Sequence, residues 1–131
     1  MDRPPHLGLR HLALNVRDVV RMRAFYVDVM GFSVEWEPDA DTAYLTSGRD
    51  NLALHRATDV APAGTGALDH LGVIVAKPDQ VDAWAAFLET RGVAIDRRPK
   101  THRDGSRSCY FRDPEGNRVQ VIHHPPISGL L

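Results

Sequence analysis

A repeated segment constrains this chain more than any other feature of its sequence. Residues 9–16 read LRHLALNV and residues 68–75 read LDHLGVIV, so the pattern Leu-x-His-Leu occurs twice, each time before alternating apolar residues. Its histidines, His11 and His70, stand 59 positions apart in a chain of 131 residues. A recurrence of this length predicts two copies of one supersecondary unit, with the two histidines in equivalent places.

Each copy is predicted to be a strand, a helix and three further strands. Alternation with period two predicts opening strands at 9–16 and 69–76, each with one apolar face and one small or polar face. Apolar residues spaced by three and four then predict a helix in each copy. The chain is therefore expected to be a single α+β domain over residues 1–131. Module one spans about 7–57, a linker 58–66 and module two about 67–124.

Prolines and polar runs set the expected limits of several elements. Pro38 is expected to end the second strand, because proline has no N–H to give to a sheet. Residues 100–107, KTHRDGSR, are expected to form a polar loop. Asp-Pro-Glu-Gly-Asn at 113–117 is a strong hairpin-turn pattern. Pro125 and Pro126 are expected to end the last strand.

Composition indicates an ordinary globular protein and excludes several functions. The net charge of −1 gives no reason to expect binding to nucleic acid or to an anionic membrane. No apolar run approaches the roughly 18 residues that a membrane span needs. Cys109 is the single cysteine, so no internal disulfide is possible, and no secretory segment is recognised at the start. A cytoplasmic setting is expected.

Four polar side chains are expected on the inward faces of the two copies. If the two sheets curve around a shared cleft, the first and last strands of each copy present the side chains of His11, His55, His70 and Gln120. Neutral imidazole is the commonest protein metal ligand, and two histidines with an oxygen donor suit iron, manganese or zinc. The alternative is that each histidine is a hydrogen-bonded wall residue and Gln120 a polar lining residue.

The sequence resembles the vicinal-oxygen-chelate superfamily, also called the glyoxalase, bleomycin-resistance and extradiol-dioxygenase superfamily. The resemblance rests on LRHLALNV followed by FYVDVMGF, on LDHLGVIV, and on YFRDPEGNRVQVIH, and covers about residues 7–124. It implies paired βαβββ modules that form an open, U-shaped mixed-sheet barrel around a divalent metal ion. It also implies a homodimer.

The resemblance assigns roles residue by residue. His11 and His70 match metal-ligand histidines of the superfamily, and Gln120 stands where a glutamate ligand is usual. Ala53 stands where glyoxalase I carries its other glutamate. In a comparison with fosfomycin-modifying thiol transferases, three further residues match segments near the phosphonate site, namely Lys100, Arg103 and Tyr110.

Two functions follow from these assignments. The first is a metal-dependent enzyme in which manganese, iron, nickel or zinc is held by His11, His70 and Gln120 and binds adjacent oxygens of a small substrate. The reaction would be a lyase, isomerase, thiol-transfer or oxygenation step, with Tyr110 positioning the substrate or stabilising an oxyanion. The second is a protein of the bleomycin-resistance type, which binds a small molecule or drug without metal or catalysis. Retained histidines favour the enzyme, and the missing carboxylates favour the binding protein.

Overall fold

The computed structural model describes residues 1–129, which form two compact units divided after Val60. The first unit contains β1 (His11–Val16), α1 (Val19–Ala24), β2 (Ser33–Asp39), β3 (Thr42–Thr46) and β4 (Asn51–Arg56). The second contains β5 (Leu71–Ile74), α2 (Asp79–Thr90), β6 (Ile95–Thr101), β7 (Arg107–Arg112), β8 (Arg118–His123) and α3 (Pro125–Ser128). Each unit therefore carries the βαβββ order that the repeat predicts.

The two sheets have the same topology. Their strand orders are β1-β4-β3-β2 and β5-β8-β7-β6, with one parallel pair, β1 with β4 or β5 with β8, and antiparallel pairs elsewhere. The registers also correspond, since Ala13 lies opposite Ala53 in the first sheet and Gly72 lies opposite Gln120 in the second. The structure thus places position 53 of one unit in the position that 120 holds in the other.

The first unit packs its helix on one face of its sheet. Asp18 caps α1 by accepting a hydrogen bond from the Arg21 backbone N–H at 3.0 Å. The helix continues as a π-helical turn, Phe25–Val29, and the chain then turns at Gly31 with a φ of +81°. The buried residues beneath it alternate along the strands, because successive side chains of a strand point to opposite faces. They include Leu14, Val16, Ala43, Leu45, Leu52 and Leu54.

The second unit repeats this packing with α2. Val81, Ala85 and Leu88 are the buried stripe of α2, and Gly92 follows the helix with a φ of +76°. The buried strand residues facing it are Cys109, Phe111, Val119 and Val121. In both units the opposite side of the sheet, here called the open face, carries the residues of interest. The open face is defined by Ala13, Tyr44, Ala53 and His55 in the first unit and by Gly72, Tyr110 and Gln120 in the second.

Three predicted limits are wrong. Pro38 does not end the second strand, which runs to Asp39, because β2 is an edge strand where a missing N–H costs no ladder bond. The strand predicted at 69–76 is shorter, and β5 leaves His70 just before it. Lys100 lies within β6 rather than in a loop, since two register shifts against β7 lengthen this strand.

The last strand ends before Pro125 and Pro126, as predicted. The two prolines also open the short helix α3, which was not predicted, since proline is favoured in the first turn of a helix. Ser128 anchors α3 to the second unit by two hydrogen bonds. Its hydroxyl donates to the Val75 backbone carbonyl at 2.8 Å and accepts from the His124 N–H at 2.9 Å.

Candidate functional site

The first unit places His11 and His55 on one open face. His11 opens β1 opposite Asn51, and His55 lies in β4 opposite Asn15. The two histidines are therefore on the same face at opposite ends of the parallel pair. Ala13 and Ala53 lie between them and leave this part of the face without a polar side chain.

The His11 ring is held in one orientation by a hydrogen-bond chain. Its Nδ1 lies 2.7 Å from Oδ1 of Asn51, whose Nδ2 donates to Oε1 of Glu35 at 3.4 Å. The bond to Glu35 orients the amide with its oxygen toward His11. Because that oxygen can only accept, this contact fits the neutral tautomer of His11 with the proton on Nδ1 and the lone pair on Nε2.

An aromatic series extends from His55 across the open face of the first unit. The ring of His55 meets Tyr44 edge to face with centroids 6.0 Å apart, and Tyr44 meets Trp36 in the same way at 5.2 Å. Trp36 is 55% exposed, which is high for a residue of its size. The face therefore offers an apolar, aromatic surface next to a floor of small residues.

The second unit holds His70 by a carboxylate. Nδ1 of His70 lies 2.6 Å from Oδ2 of Asp69, so this histidine also has its proton on Nδ1 and its lone pair on Nε2 when neutral. The hydrogen bond from His70 lowers the pKa of the Asp69 carboxyl below its ordinary value. Sequence reasoning missed Asp69 and Asn51, although Asp69 directly precedes the histidine in LDHL.

Tyr110 and Gln120 form a polar pair beside His70. Gln120 is 8% exposed, and its Nε2 donates to the Tyr110 hydroxyl at 2.9 Å. The ring of Tyr110 meets His70 edge to face with centroids 5.4 Å apart. A Cβ added at Gly72 would lie 3.4 Å from Oε1 of Gln120, so the glycine leaves this oxygen room. Because the tyrosine hydroxyl accepts from Gln120, its own proton is available to another acceptor.

The two predicted anion contacts lie apart from this pair. Lys100 is exposed in β6 opposite Ser108, and Arg103 is exposed in the loop between β6 and β7. The structure thus brings together His70, Tyr110 and Gln120, and separately puts His11 and His55 on one face. Within residues 1–129, no three histidine, cysteine, aspartate or glutamate side chains cluster as a metal-binding group. The predicted ligand set, His11, His70 and Gln120, contains only two residues of these four types, so this finding does not test it.

The chain belongs to the Glyoxalase/Bleomycin resistance protein/Dioxygenase superfamily. The model of this family matches residues 8–121, which is most of the chain. This match confirms the resemblance read from the repeated LxHL segments and the DPEGN turn. It also agrees with the two four-stranded mixed sheets described above.

Two relatives of known activity are similar in sequence. Biphenyl-2,3-diol 1,2-dioxygenase 3 of Rhodococcus globerulus is 28% identical over 120 residues, which is 86% of this chain and 61% of that protein. The chain therefore spans about three fifths of the dioxygenase's length. Metallothiol transferase FosB of Bacillus licheniformis is 27% identical over 123 residues, 92% of this chain and 78% of that protein.

Solved structures share the fold. A lactoylglutathione lyase from Agrobacterium tumefaciens superposes with a TM-score of 0.75 at 24% identity, covering 92% of this chain and 96% of that one. A glyoxalase family protein from Enterococcus faecalis gives 0.74 at 22% identity, covering 89% and 98%. These similarities confirm the predicted glyoxalase-like fold class. In the described part of the chain, no helix has the length and apolar character to cross a bilayer.

Proposed function

We propose that this protein is a metal-dependent enzyme that acts on a small molecule with two adjacent oxygens. His11, His70 and Gln120 would be the protein ligands of a divalent ion, which would be manganese, iron, nickel or zinc. The observation that supports the proposal is the hydrogen bonding of the two histidine rings. Each has Nδ1 tied to an oxygen acceptor, at 2.7 Å for His11 and 2.6 Å for His70. Metal-binding histidines characteristically donate their other ring N–H in this way, and Nε2 is left to bind the ion.

Gln120 suits the third ligand position as an oxygen donor. Its amide nitrogen is occupied by the Tyr110 hydroxyl at 2.9 Å, and its carbonyl oxygen is the atom left to face a cation. Carboxylate and carbonyl oxygens are ordinary ligands of divalent ions. An amide brings one negative charge fewer than the glutamate usual in the superfamily. The negative charge of Asp69 behind His70 partly offsets this difference.

The ion, when bound, would act as a Lewis acid toward negative charge that develops on the substrate oxygens. The chain's own contribution at this point is the Tyr110 hydroxyl. It accepts from Gln120 and so directs its proton outward, where it would donate to a substrate oxygen and stabilise an oxyanion. Lys100 is the first proposed contact for an anionic group of the substrate, since it is exposed in β6 opposite Ser108, which is two residues from Tyr110 in β7. His55 and Arg103 are the other proposed substrate contacts.

The reaction belongs to the range set by the relatives, namely lyase, isomerase, thiol-transfer or oxygenation chemistry. A direct test assays the purified chain against biphenyl-2,3-diol with oxygen, a thiol with a phosphonate epoxide, and the glutathione adduct of an α-ketoaldehyde. Each assay is run with each of the four ions and again with a chelator. We expect one metal-restored activity, lost in His70→Ala and retained in His6→Ala, which removes an exposed imidazole elsewhere.

A second candidate is supported by the same structure. Ala53 and Gln120 replace carboxylates, and the series of exposed Trp36 with half-buried Tyr44 and His55 suits a planar ligand without catalysis. A bleomycin-resistance-type protein would bind such a ligand equally well with and without metal. Absence of turnover under every metal, with chelator-insensitive binding of a planar drug monitored by Trp36 fluorescence, would favour this candidate. The Trp36→Phe variant controls for the signal of Trp84.

A further inference from the structure

An arginine pair flanks the DPEGN turn. Arg112 ends β7 and Arg118 begins β8, and the two residues are direct cross-strand partners. Like charges directly opposite each other in an antiparallel pair destabilise a sheet. The turn between them accounts for the hairpin but gives no reason for two cations at its base. Their juxtaposition therefore calls for a negative partner.

The protein supplies that partner only incompletely. Oδ2 of Asp96 lies 3.4 Å from Nη2 of Arg112 and 3.6 Å from Nε of Arg118. Both distances exceed the roughly 2.7–2.9 Å of a charge-assisted hydrogen bond. Nε of Arg118 is buried and has no hydrogen-bond partner. A buried donor without an acceptor is costly, and such atoms in a folded protein need an explanation.

A cavity of about 300 Å³ opens beside the pair. One wall is the backbone segment that follows the first unit, and the other is the base of the hairpin; the lining comprises Ala63, Gly64, Gly66, Ala67, Leu68, Asp69, Arg112, Asn117 and Arg118. Its volume is at the lower end of the range for small-molecule sites. Within the described chain, two arginines and one aspartate are the charged residues of this lining. Asp69 is hydrogen-bonded to His70 and also interacts electrostatically with Arg118.

The hairpin wall is stabilised by hydrogen bonds within the turn. Asp113 is 4% exposed and accepts hydrogen bonds from the backbone N–H groups of Glu115 and Asn117 and from Nδ2 of Asn117, at 2.9–3.0 Å. Gly116 packs so closely that an added Cβ would lie 3.4 Å from the Cβ of Ala63. The turn is thus ordered by its own hydrogen bonds and lies next to Ala63 of the opposite wall.

We propose that this cavity binds a small anionic ligand, through a carboxylate or phosphate group that bridges Arg112 and Arg118. The planar guanidinium group of arginine is the side chain best suited to such oxyanions, and the anion would accept hydrogen bonds from the Nη atoms of the two arginines. The inference does not depend on the metal ligands. It gives the DPEGN turn a second role beside that of a hairpin.

The cavity is connected to the residues of the proposed enzyme site. The guanidinium carbon of Arg118 lies 5.6 Å from the centre of the Tyr110 ring, and Asp69 of the lining holds His70. The anion would therefore be either a part of the substrate or a separate effector beside it. Both sources share the same chemistry, and a titration with and without metal distinguishes them.

The test is a backbone amide NMR titration of the metal-free full chain with sodium phosphate and, separately, sodium acetate, at constant ionic strength. Amides of Gly64, Gly66 and Asn117 report on the cavity. We expect saturable shifts at these three positions in the wild type and about tenfold weaker binding in Arg118→Gln. Arg98→Gln is the charge-matched control, because Arg98 pairs with Glu89 at 2.9 Å on the helix side of the same sheet.

A second pair of variants keeps the result interpretable if Arg118→Gln does not fold. Ala67→Asp adds a carboxylate to the lining and should weaken phosphate binding, whereas the neutral Ala67→Asn should not. Absence of saturable shifts in the wild type, or equal binding by the Arg118 and Arg98 variants, would overturn the proposal. Acetate affinity that changes on zinc loading would assign the anion to the substrate, and unchanged affinity would assign it to an effector; both results require the cavity to bind it.

Discussion

The two units share one backbone plan and differ in what their open faces carry. In the first, His11 is held by the neutral amide of Asn51, and the same face carries Ala13, Ala53 and the aromatic series that extends from His55. In the second, His70 is held by the carboxylate of Asp69, beside Tyr110 and Gln120. The matching positions 53 and 120 carry Ala in the first unit and Gln in the second, whereas the matching positions 44 and 110 are both Tyr. Topology fixes where a side chain lies, and the residue type alone decides its chemistry.

The largest expected effect concerns what the units have in common. Leu45 and Phe111 occupy matching places, opposite Leu52 and Val119, and both are fully buried. Phe111→Ala should lower the free energy of unfolding by about 3–5 kcal/mol and Leu45→Ala by about 2–5 kcal/mol, because each leaves a cavity. Urea unfolding measures both. Val20→Ala is the control, because Val20 is 72% exposed. If Leu45→Ala lowered the free energy of unfolding no more than Val20→Ala does, the core of the first unit would not be packed as that of the second is.

The second prediction tests the difference between the two histidines. Asp69→Asn removes the charge behind His70, and metal affinity should fall by about 10–100-fold, the usual effect of losing such a partner. Asn51→Ala removes only a neutral acceptor from His11 and should weaken binding less. Competition with a chromophoric chelator measures both dissociation constants. An Asn51→Ala effect equal to or greater than that of Asp69→Asn would remove the distinction between the units.

The third prediction returns to the shared backbone. Gly31 and Gly92 follow the helices of the two units with φ of +81° and +76°, and no atom lies within 4 Å of a Cβ at either position. Alanine should therefore cost about 1–2 kcal/mol at each, from backbone strain alone. Gly66→Ala is the control, since Gly66 has equal space but no positive φ. Thermal or urea unfolding that shows unequal losses at 31 and 92 would indicate that the two helix ends are not equivalent.

The smallest expected effect concerns the ion pair that links α2 to β7. Arg107 donates two hydrogen bonds to Asp82 of α2, and this lowers the pKa of the Asp82 carboxyl. A lowered pKa means that the stabilisation is present above the unfolded-state value near 4 and is lost as pH falls through the folded value. Asp82→Asn should thus cost less than about 1 kcal/mol at pH 7 and a smaller amount at pH 3. A difference of the same size at both pH values in urea unfolding would refute this assignment.

The periodic features of the sequence predicted most of the fold. The 59-residue repeat, the capping Asp18 and the glycines after each helix depend on local conformation, and the structure has each of them in place. The misjudged limits depend on position in the sheet. Pro38 is tolerated because β2 is an edge strand, and β6 is longer because of register shifts that only its pairing with β7 reveals.

The site was less accessible to sequence reasoning. The residues His11, His70 and Gln120 could be proposed from alternation and from the family resemblance. Their partners could not, because Asn51 reaches His11 across 40 positions and only through the parallel register. The cavity beside Arg112 and Arg118 was missed for the same reason. A turn motif indicates that two strands pair, but not that the two flanking arginines share a single carboxylate, Asp96, and border a cavity.

The most direct test of the central claim is metal content, measured by plasma mass spectrometry on untagged protein purified without chelator. Samples are reloaded with manganese, iron, nickel or zinc, passed through gel filtration, and compared with His11→Ala, His70→Ala and His6→Ala. We predict about one ion per chain in the wild type and in His6→Ala, and a large loss in each of the other two. Full metal content in His11→Ala or His70→Ala, or none in the wild type with any ion, would contradict the account.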